Sequence, residues 1–337
     1  MLDAAKFIVF WSTSNVEAAL SSLRSKEAAK VRVALRLARR GGNIRRRSIL
    51  YAVAERAAWL EAMGVDRQTA TEVLLSEYRL RAEEHMRTIS SAFNTVVFIA
   101  AMTFLMSIVI SMLALLSPDA SKYASAFSIF ALMTAFMLEG IIEPVKRWDY
   151  RVTALAMAPA ALSLFWPQAL YAVPIAATLY AVWYIPQRRE AEEELTMALR
   201  GRLQAASTPL AKEALEIIKA VRMSGAYYLQ SAAEFIMRII EHYYKSIRFS
   251  GLIRAFVVIS LVFVMVMAIN SLQKPLAEMV EKAKSGPTSL PFQLYVPEFK
   301  QTVLVAAFIA ALIAGRMTES YAAAPLYTPV MLLSLLV

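Results

Sequence analysis

Long apolar runs alternate with densely charged ones along this chain. No charged side chain falls within residues 88–118, 123–138, 152–187, 255–273, 301–315 or 320–337. A membrane-spanning helix needs about 20 mostly apolar residues, and the windows 88–118 and 255–273 meet that alone. As one straight helix, 152–187 would reach roughly 54 Å, against a hydrocarbon core of about 30 Å. Trp166-Pro167-Gln168 near its middle therefore predicts a turn between two short spans. Windows 123–138 and 301–315 suffice if flanking Lys, Arg and Tyr snorkel to the interface. The pattern predicts about seven transmembrane helices, at 92–116, 124–144, 152–166, 169–186, 252–272, 301–316 and 321–337. The short apolar segment Phe7–Trp11 lacks the length of a signal-peptide core and reads as an interfacial or packing segment.

The polar stretches carry helical periodicity. Ser14 and Glu17 fit a capping box, followed by Leu20, Leu23, Val31, Leu35 and Leu37 on one side of a helix. Gly41-Gly42 end that pattern. A second helix is expected from about Arg45 to a stop at Gly64, with Ile49, Leu50, Val53, Ala57 and Leu60 inward. Asp66 can cap a third helix that runs into the first span, about 50 residues and roughly 75 Å in all. Later, Gln187–Ala206 is helical and charged. Thr208-Pro209 opens a helix with Leu210, Ala214, Ile218 and Val221 at helical spacing. Gly225 breaks it, and a long helix then continues from about Tyr227 through the fifth span.

The two polar stretches therefore share one plan. Both long helices carry Glu-His just before their apolar run, at Glu84-His85 and Glu241-His242, and these are the only histidines in the chain. An internal repeat is the reading this favours. The fold class expected is all-α: a polytopic membrane protein with two helical-bundle lobes in an internal repeat. Its parts are lobe 1 (1–91), four spans (92–186), lobe 2 (187–251), and three spans (252–337) with an outer loop at 273–300.

Charge sets the expected orientation. The net charge is +10, with the Lys and Arg excess before residue 92, in Val145–Arg151 and between 187 and 251. By the positive-inside tendency the N-terminus and both lobes face the cytoplasm and the C-terminus lies outside. In the outer loop, Leu272, Leu276, Met279, Val280 and Ala283 form the apolar side of an amphipathic helix, read as lying on the outer membrane surface. Gly286-Pro287 end it, and Ser289–Val296 is read as apolar and extended.

The chemistry on offer is sparse. At 58% hydrophobic and a mean hydropathy of +0.50, the chain is too apolar for a soluble domain of its length. Cysteine is absent, which removes disulfides, thiolate metal sites and cysteine nucleophiles. Neither a phosphate-binding loop nor GxGxxG is present. The two histidines are far apart in sequence and suggest no metal cluster or Ser/His triad. No catalytic residue, metal site or cofactor is expected. Glu139 and Glu143, one turn apart near the end of the second span, are candidates for an intramembrane contact; the alternative is pairing with Lys146 or Arg147. Prolines 159, 174, 325 and 329 fall inside expected spans as kinks or hinges. His85 and His242 are either pH-sensitive groups or interfacial residues inherited with the repeat.

This layout resembles the platform proteins of type IV filament machines. These are the inner-membrane F components of type II secretion and type IV pili, with archaeal forms serving archaella, adhesion pili and tight-adherence-type pili. Arg39-Arg40-Gly41-Gly42-Asn43-Ile44, leading to Ile49-Leu50, is similar to the F-domain turn. So is Val221-Arg222-Met223-Ser224-Gly225-Ala226. Ile313–Ala322 is similar to the archaeal branch's small-residue turn before its last span, although Tyr321-Ala322-Ala323-Ala324-Pro325 holds less glycine than that branch usually has.

The resemblance implies a protein beneath a growing filament, without covalent chemistry of its own. It would bind a hexameric secretion ATPase and receive pilin subunits in the lipid bilayer, as a homo-oligomer such as a dimer. Residues 24–47 hold ten Lys or Arg against Glu27. That stretch reads either as a surface near anionic lipid or as a docking face for an acidic ATPase surface. Without interleaved aromatics it is a poor nucleic-acid site. The candidate ATPase contacts are Arg39, Arg40, Arg45, Arg46, Arg47 and Arg222; Glu139 and Glu143 are the candidate pilin contacts. The competing class is a membrane channel or transporter for DNA or small solutes on the same scaffold.

Overall fold

The computed structural model describes residues 1–23, 25–39, 48–113, 123, 130, 133, 145–224, 227–285 and 299–337. All their regular structure is helical: α1 (Leu2–Thr13), α2 (Val16–Ser22), α3 (Lys26–Arg39), α4 (Ile49–Ala62), α5 (Arg67–Leu113), α6 (Tyr150–Ser163), α7 (Val173–Leu199), α8 (Pro209–Ser224), α9 (Tyr227–Ser285) and α10 (Phe299–Thr318). Two 3₁₀ segments, Pro167–Ala172 and Tyr321–Leu336, complete it. Among the described residues, four stretches are long and apolar enough to cross a membrane: Arg67–Leu113, Pro167–Leu199, Leu229–Met279 and Phe299–Thr318.

Helix ends follow local chemistry. The Asp66 carboxylate accepts from the Gln68 N–H at 3.1 Å and opens α5, as expected. Gly64, at φ 67°, ends the helix before it. The Ser14–Glu17 capping box does not form. Ser14 instead donates its hydroxyl to the Phe10 carbonyl at 2.6 Å, closing α1, and Asn15 caps α2 through the Ala18 N–H. The expected first helix is two, because Ser25 accepts from the Ala28 N–H at 3.1 Å and starts α3 afresh. Leu23, Val31 and Leu35 are buried there, but Leu37 is exposed. Gly41-Gly42, Gly225, Gly286-Pro287 and Ser289–Val296 lie outside the described residues.

The chain divides into two compact units. One comprises Met1–Thr88, Val145–Arg147 and Arg188–Ile247 and so gathers both polar helical stretches. In it α1 is a packing helix, with Phe7, Ile8 and Trp11 almost fully buried, and it contacts both α4 and α8. Trp11 donates its indole N–H to Glu61 at 3.0 Å, and the Arg67 guanidinium stacks over its ring at 4.4 Å. On the other side Lys6 pairs with Glu216 at 2.7 Å. The N-terminal helix thus ties the first lobe to the second.

The long helices meet in this unit as well. His85 Nδ1 lies 2.8 Å from the Tyr243 hydroxyl, with the rings stacked at 5.9 Å. The two Glu-His segments are therefore neighbours, though inequivalent: His85 is half-buried and His242 exposed. Tyr78 is fully enclosed nearby, and burial, with Tyr243 adding, pushes its phenol far above the usual range.

The other unit comprises Ile89–Pro144, Trp148–Gln187 and Arg248–Val337. Its exterior is apolar: Phe98, Leu105 and Val109 on α5, and Phe256, Phe263 and Met267 on α9, are all exposed. Small polar groups face inward instead. Thr103, Ser107 and Ser111 form a buried stripe, and the Ser111 hydroxyl meets that of Thr302 on α10 at 3.3 Å. Apolar outside and small-polar inside is the packing pattern of helices in lipid. Arg254 on α9 donates to Asn94 and Ser90 of α5, each at 2.8 Å, clamping the two helices.

Three expectations for the spans change. The turn at Trp166-Pro167 is present, but α6 before it has 14 residues, about 21 Å and short of the hydrocarbon core. The amphipathic segment after residue 272 is no separate surface helix; it continues α9 without a break to Ser285. The expected span 321–337 is wound as a 3₁₀ helix of 16 residues with Pro325 and Pro329 inside it. At about 2.0 Å per residue this reaches about 32 Å, against about 24 Å as an α-helix. The expected span 124–144 lies outside the described residues apart from Phe130 and Met133.

Candidate functional site

In the unit that holds both lobes, α7 ends at a glycine. Gly201 adopts φ 67°, its N–H bonds the Ala198 carbonyl at 3.0 Å, and the Arg202 N–H bonds Met197 at 3.0 Å. This paired closure stops the helix expected to reach Ala206 and turns the chain toward α8. Glu194 holds the far end of the turn, accepting from the Ser207 N–H and, at 2.7 Å, from the Ser207 hydroxyl. Burial pushes the Glu194 carboxyl up, but the Ser207 and Thr208 hydrogen bonds outweigh it and leave it below its ordinary value.

Between the end of α7, the Gly201 turn, α8 and α9 lies a groove of about 530 Å³. Its floor is aliphatic: Leu199, Val221, Ala233 and Met237 are buried. Four arginines, Arg200, Arg202, Arg222 and Arg238, rim it, together with Glu234 and Glu241. Glu241 is already engaged, with Lys245 at 2.7 Å and Arg200 at 3.3 Å. The Lys245 hydrogen bond, partly opposed by burial and aided by Arg200, holds that carboxyl below its usual range. Arg222 spends one N–H on the Gly201 carbonyl at 3.3 Å. A second hollow of about 420 Å³ shares Arg200 and Arg202, extending the basic rim along α7.

The apolar unit holds a different cluster. Glu319, 2% exposed, sits in the turn between α10 and the last helix. Its carboxylate accepts from the Trp148 indole at 3.2 Å and from the Tyr184 hydroxyl at 2.9 Å. Tyr180 donates to the Ala322 carbonyl at 2.7 Å beside them. Arg316, also buried, donates to the Glu319 carbonyl at 3.4 Å. This ties the start of α6, the middle of α7 and the α10 turn into one polar knot.

Of the residues singled out in the sequence, Arg222 lies on the groove rim. Arg40, Arg45, Arg46, Arg47, Glu139 and Glu143 lie outside the described residues, and Arg39 is placed only as the last residue of α3. Sequence reading missed Arg200, Arg202, Arg238 and Glu319. Among the described residues no group of three or more His, Asp or Glu is placed to hold a metal ion. No known protein family, curated protein or solved structure matches this chain.

Proposed function

We propose that this protein is a membrane platform of a type IV filament or secretion machine. It would couple a secretion ATPase below the cytoplasmic membrane to pilin subunits within it. One observation carries this reading. The two polar stretches, each a short helix followed by a long helix that continues into an apolar run, pack together as one helical unit. That is the form expected of a part gripped by a single motor. The seven-span topology, with both lobes cytoplasmic, belongs to the same proposal, as does the internal repeat. In this reading Arg222 and its neighbours contact the ATPase, and nucleotide hydrolysis belongs to the partner.

The test is co-expression with the secretion ATPase and pilins of the same cell, followed by purification in mild detergent. Both should remain bound, and deletion of the gene should abolish filaments. Filaments of normal number in the deletion strain would defeat the proposal.

A second reading, a transporter, draws on Glu319 and Arg316, since ionisable groups buried in an apolar unit are functional suspects by default. It separates cleanly from the first: Glu319→Gln would then abolish solute flux in liposomes and leave filament assembly intact.

A further inference from the structure

The groove in the second lobe has a more definite chemistry than a general basic surface. Its floor is buried aliphatic side chain and its rim is arginine from the α7 end, the turn, α8 and α9. The formal charge of the lining is positive, four arginines against two glutamates, and Glu241 is further offset by Lys245 from outside the lining. An occupant must therefore supply carboxylates or phosphates at the rim and apolar groups at the floor.

The backbone argues against phosphate. The helix ends presented here are C-terminal: α7 stops at Leu199, and Arg222 lies in the last turn of α8. Helix C-termini present carbonyls, so they lack the cradle of backbone N–H groups that a compact phosphate uses at a helix N-terminus. Among the described residues, no aromatic side chain lines the groove to stack a base. A flat lipid surface does not reach a recessed floor. Carboxylates spread along a helix do match separated guanidinium forks, each able to pair bidentately, while apolar residues one turn apart enter the floor.

We propose that this groove is the docking site for an acidic amphipathic helix of a soluble partner protein. On the platform reading, and only for the partner's identity, that helix belongs to the ATPase. Arg202 and Arg238 grip its carboxylates, and Ala233 and Met237 receive its apolar ridge.

A random helix-display library selected on the full-length protein in zwitterionic nanodiscs tests this without knowledge of the partner. The expected winners are acidic and amphipathic, and they bind Arg202→Glu/Arg238→Glu at least tenfold more weakly in fluorescence anisotropy. Ala233→Trp, which fills the floor with no change of charge, should weaken them equally. If that variant misfolds, Gln230→Trp at the mouth replaces it. Reversal of Lys26 and Lys30, exposed on α3, should leave affinity unchanged.

The proposal is overturned if the winners lack acidic residues. It also fails if the α3 reversal costs as much as the groove reversal, if floor filling has no effect, or if ATP or anionic vesicles displace the winners from the parent. No ATPase is present in this assay, so its failure leaves the platform reading standing. Loss of ATPase co-purification from a protein whose groove still binds peptide would count against that reading alone.

Discussion

At Gly315 α10 packs against Ala324 of the last helix with no room for a side-chain carbon, and replacing it with alanine tests how that pair is packed. A Cβ on Gly315 would lie 2.5 Å from the Ala324 nitrogen, 2.6 Å from its Cα and 2.9 Å from its Cβ. Non-bonded carbon atoms settle near 3.5–4.0 Å, so the two backbones must separate by about 1 Å. Two of the three obstructing atoms are backbone and cannot rotate away. Overpacking costs about 1–3 kcal/mol, and here the separation also loosens Ala311, Ala314, Ala322 and Ala323, all fully buried. Gly315→Ala should therefore destabilise the protein by about 3 kcal/mol. Reversible unfolding in mixed micelles, followed by circular dichroism and tryptophan fluorescence, measures it. Adding Ala324→Gly removes only one of the three obstructing atoms and should recover less than half of the loss. A Gly315→Ala protein within about 0.5 kcal/mol of the parent, or full rescue by Ala324→Gly, would refute the reasoning.

Other outcomes follow from the same geometry. Glu319→Ala deprives the Trp148 and Tyr184 donors of their acceptor and should cost about 2–4 kcal/mol in the same unfolding assay. Glu319→Gln keeps one acceptor oxygen and should cost clearly less. Trp11→Ala leaves a cavity beside Glu61 and Arg67 in the first lobe and should cost about 3–5 kcal/mol, read as a lower melting temperature in nanodiscs. Glu194 and Glu241 have native carboxyls below their ordinary value of 4.5. A depressed native value stabilises the fold above the unfolded value and loses that contribution as pH falls through the native one. Stability of the helical unit should therefore fall as pH drops below 4.5, and Glu194→Gln should reduce the slope of stability against pH there.

Much of the helical layout was legible because local chemistry decides it. Gly64, Asp66 and Trp166-Pro167 are strong punctuation, and the charged-to-apolar continuity of α5 and α9 needs no tertiary context. Ser14 misled because its hydroxyl serves the helix before it rather than the one after. The groove was hidden because Arg200, Arg202, Arg222 and Arg238 converge only once α7, α8 and α9 fold back on one another. Glu319 left a fainter trace. Residues 316–319 are the only interruption between two uncharged windows, too short a loop to carry charges far from the apolar interior. The 3₁₀ winding of the last helix had no signal beyond Pro325 and Pro329.

The account depends on both lobes lying on one side of the membrane. Because the chain has no cysteine, single thiols can be placed at Ser21 in the first lobe and Lys212 in the second, both exposed. They can then be probed in intact cells with a membrane-impermeant maleimide. Both should stay unlabelled until the membrane is opened and then react fully. Labelling of one in intact cells while the other stays protected would contradict the account.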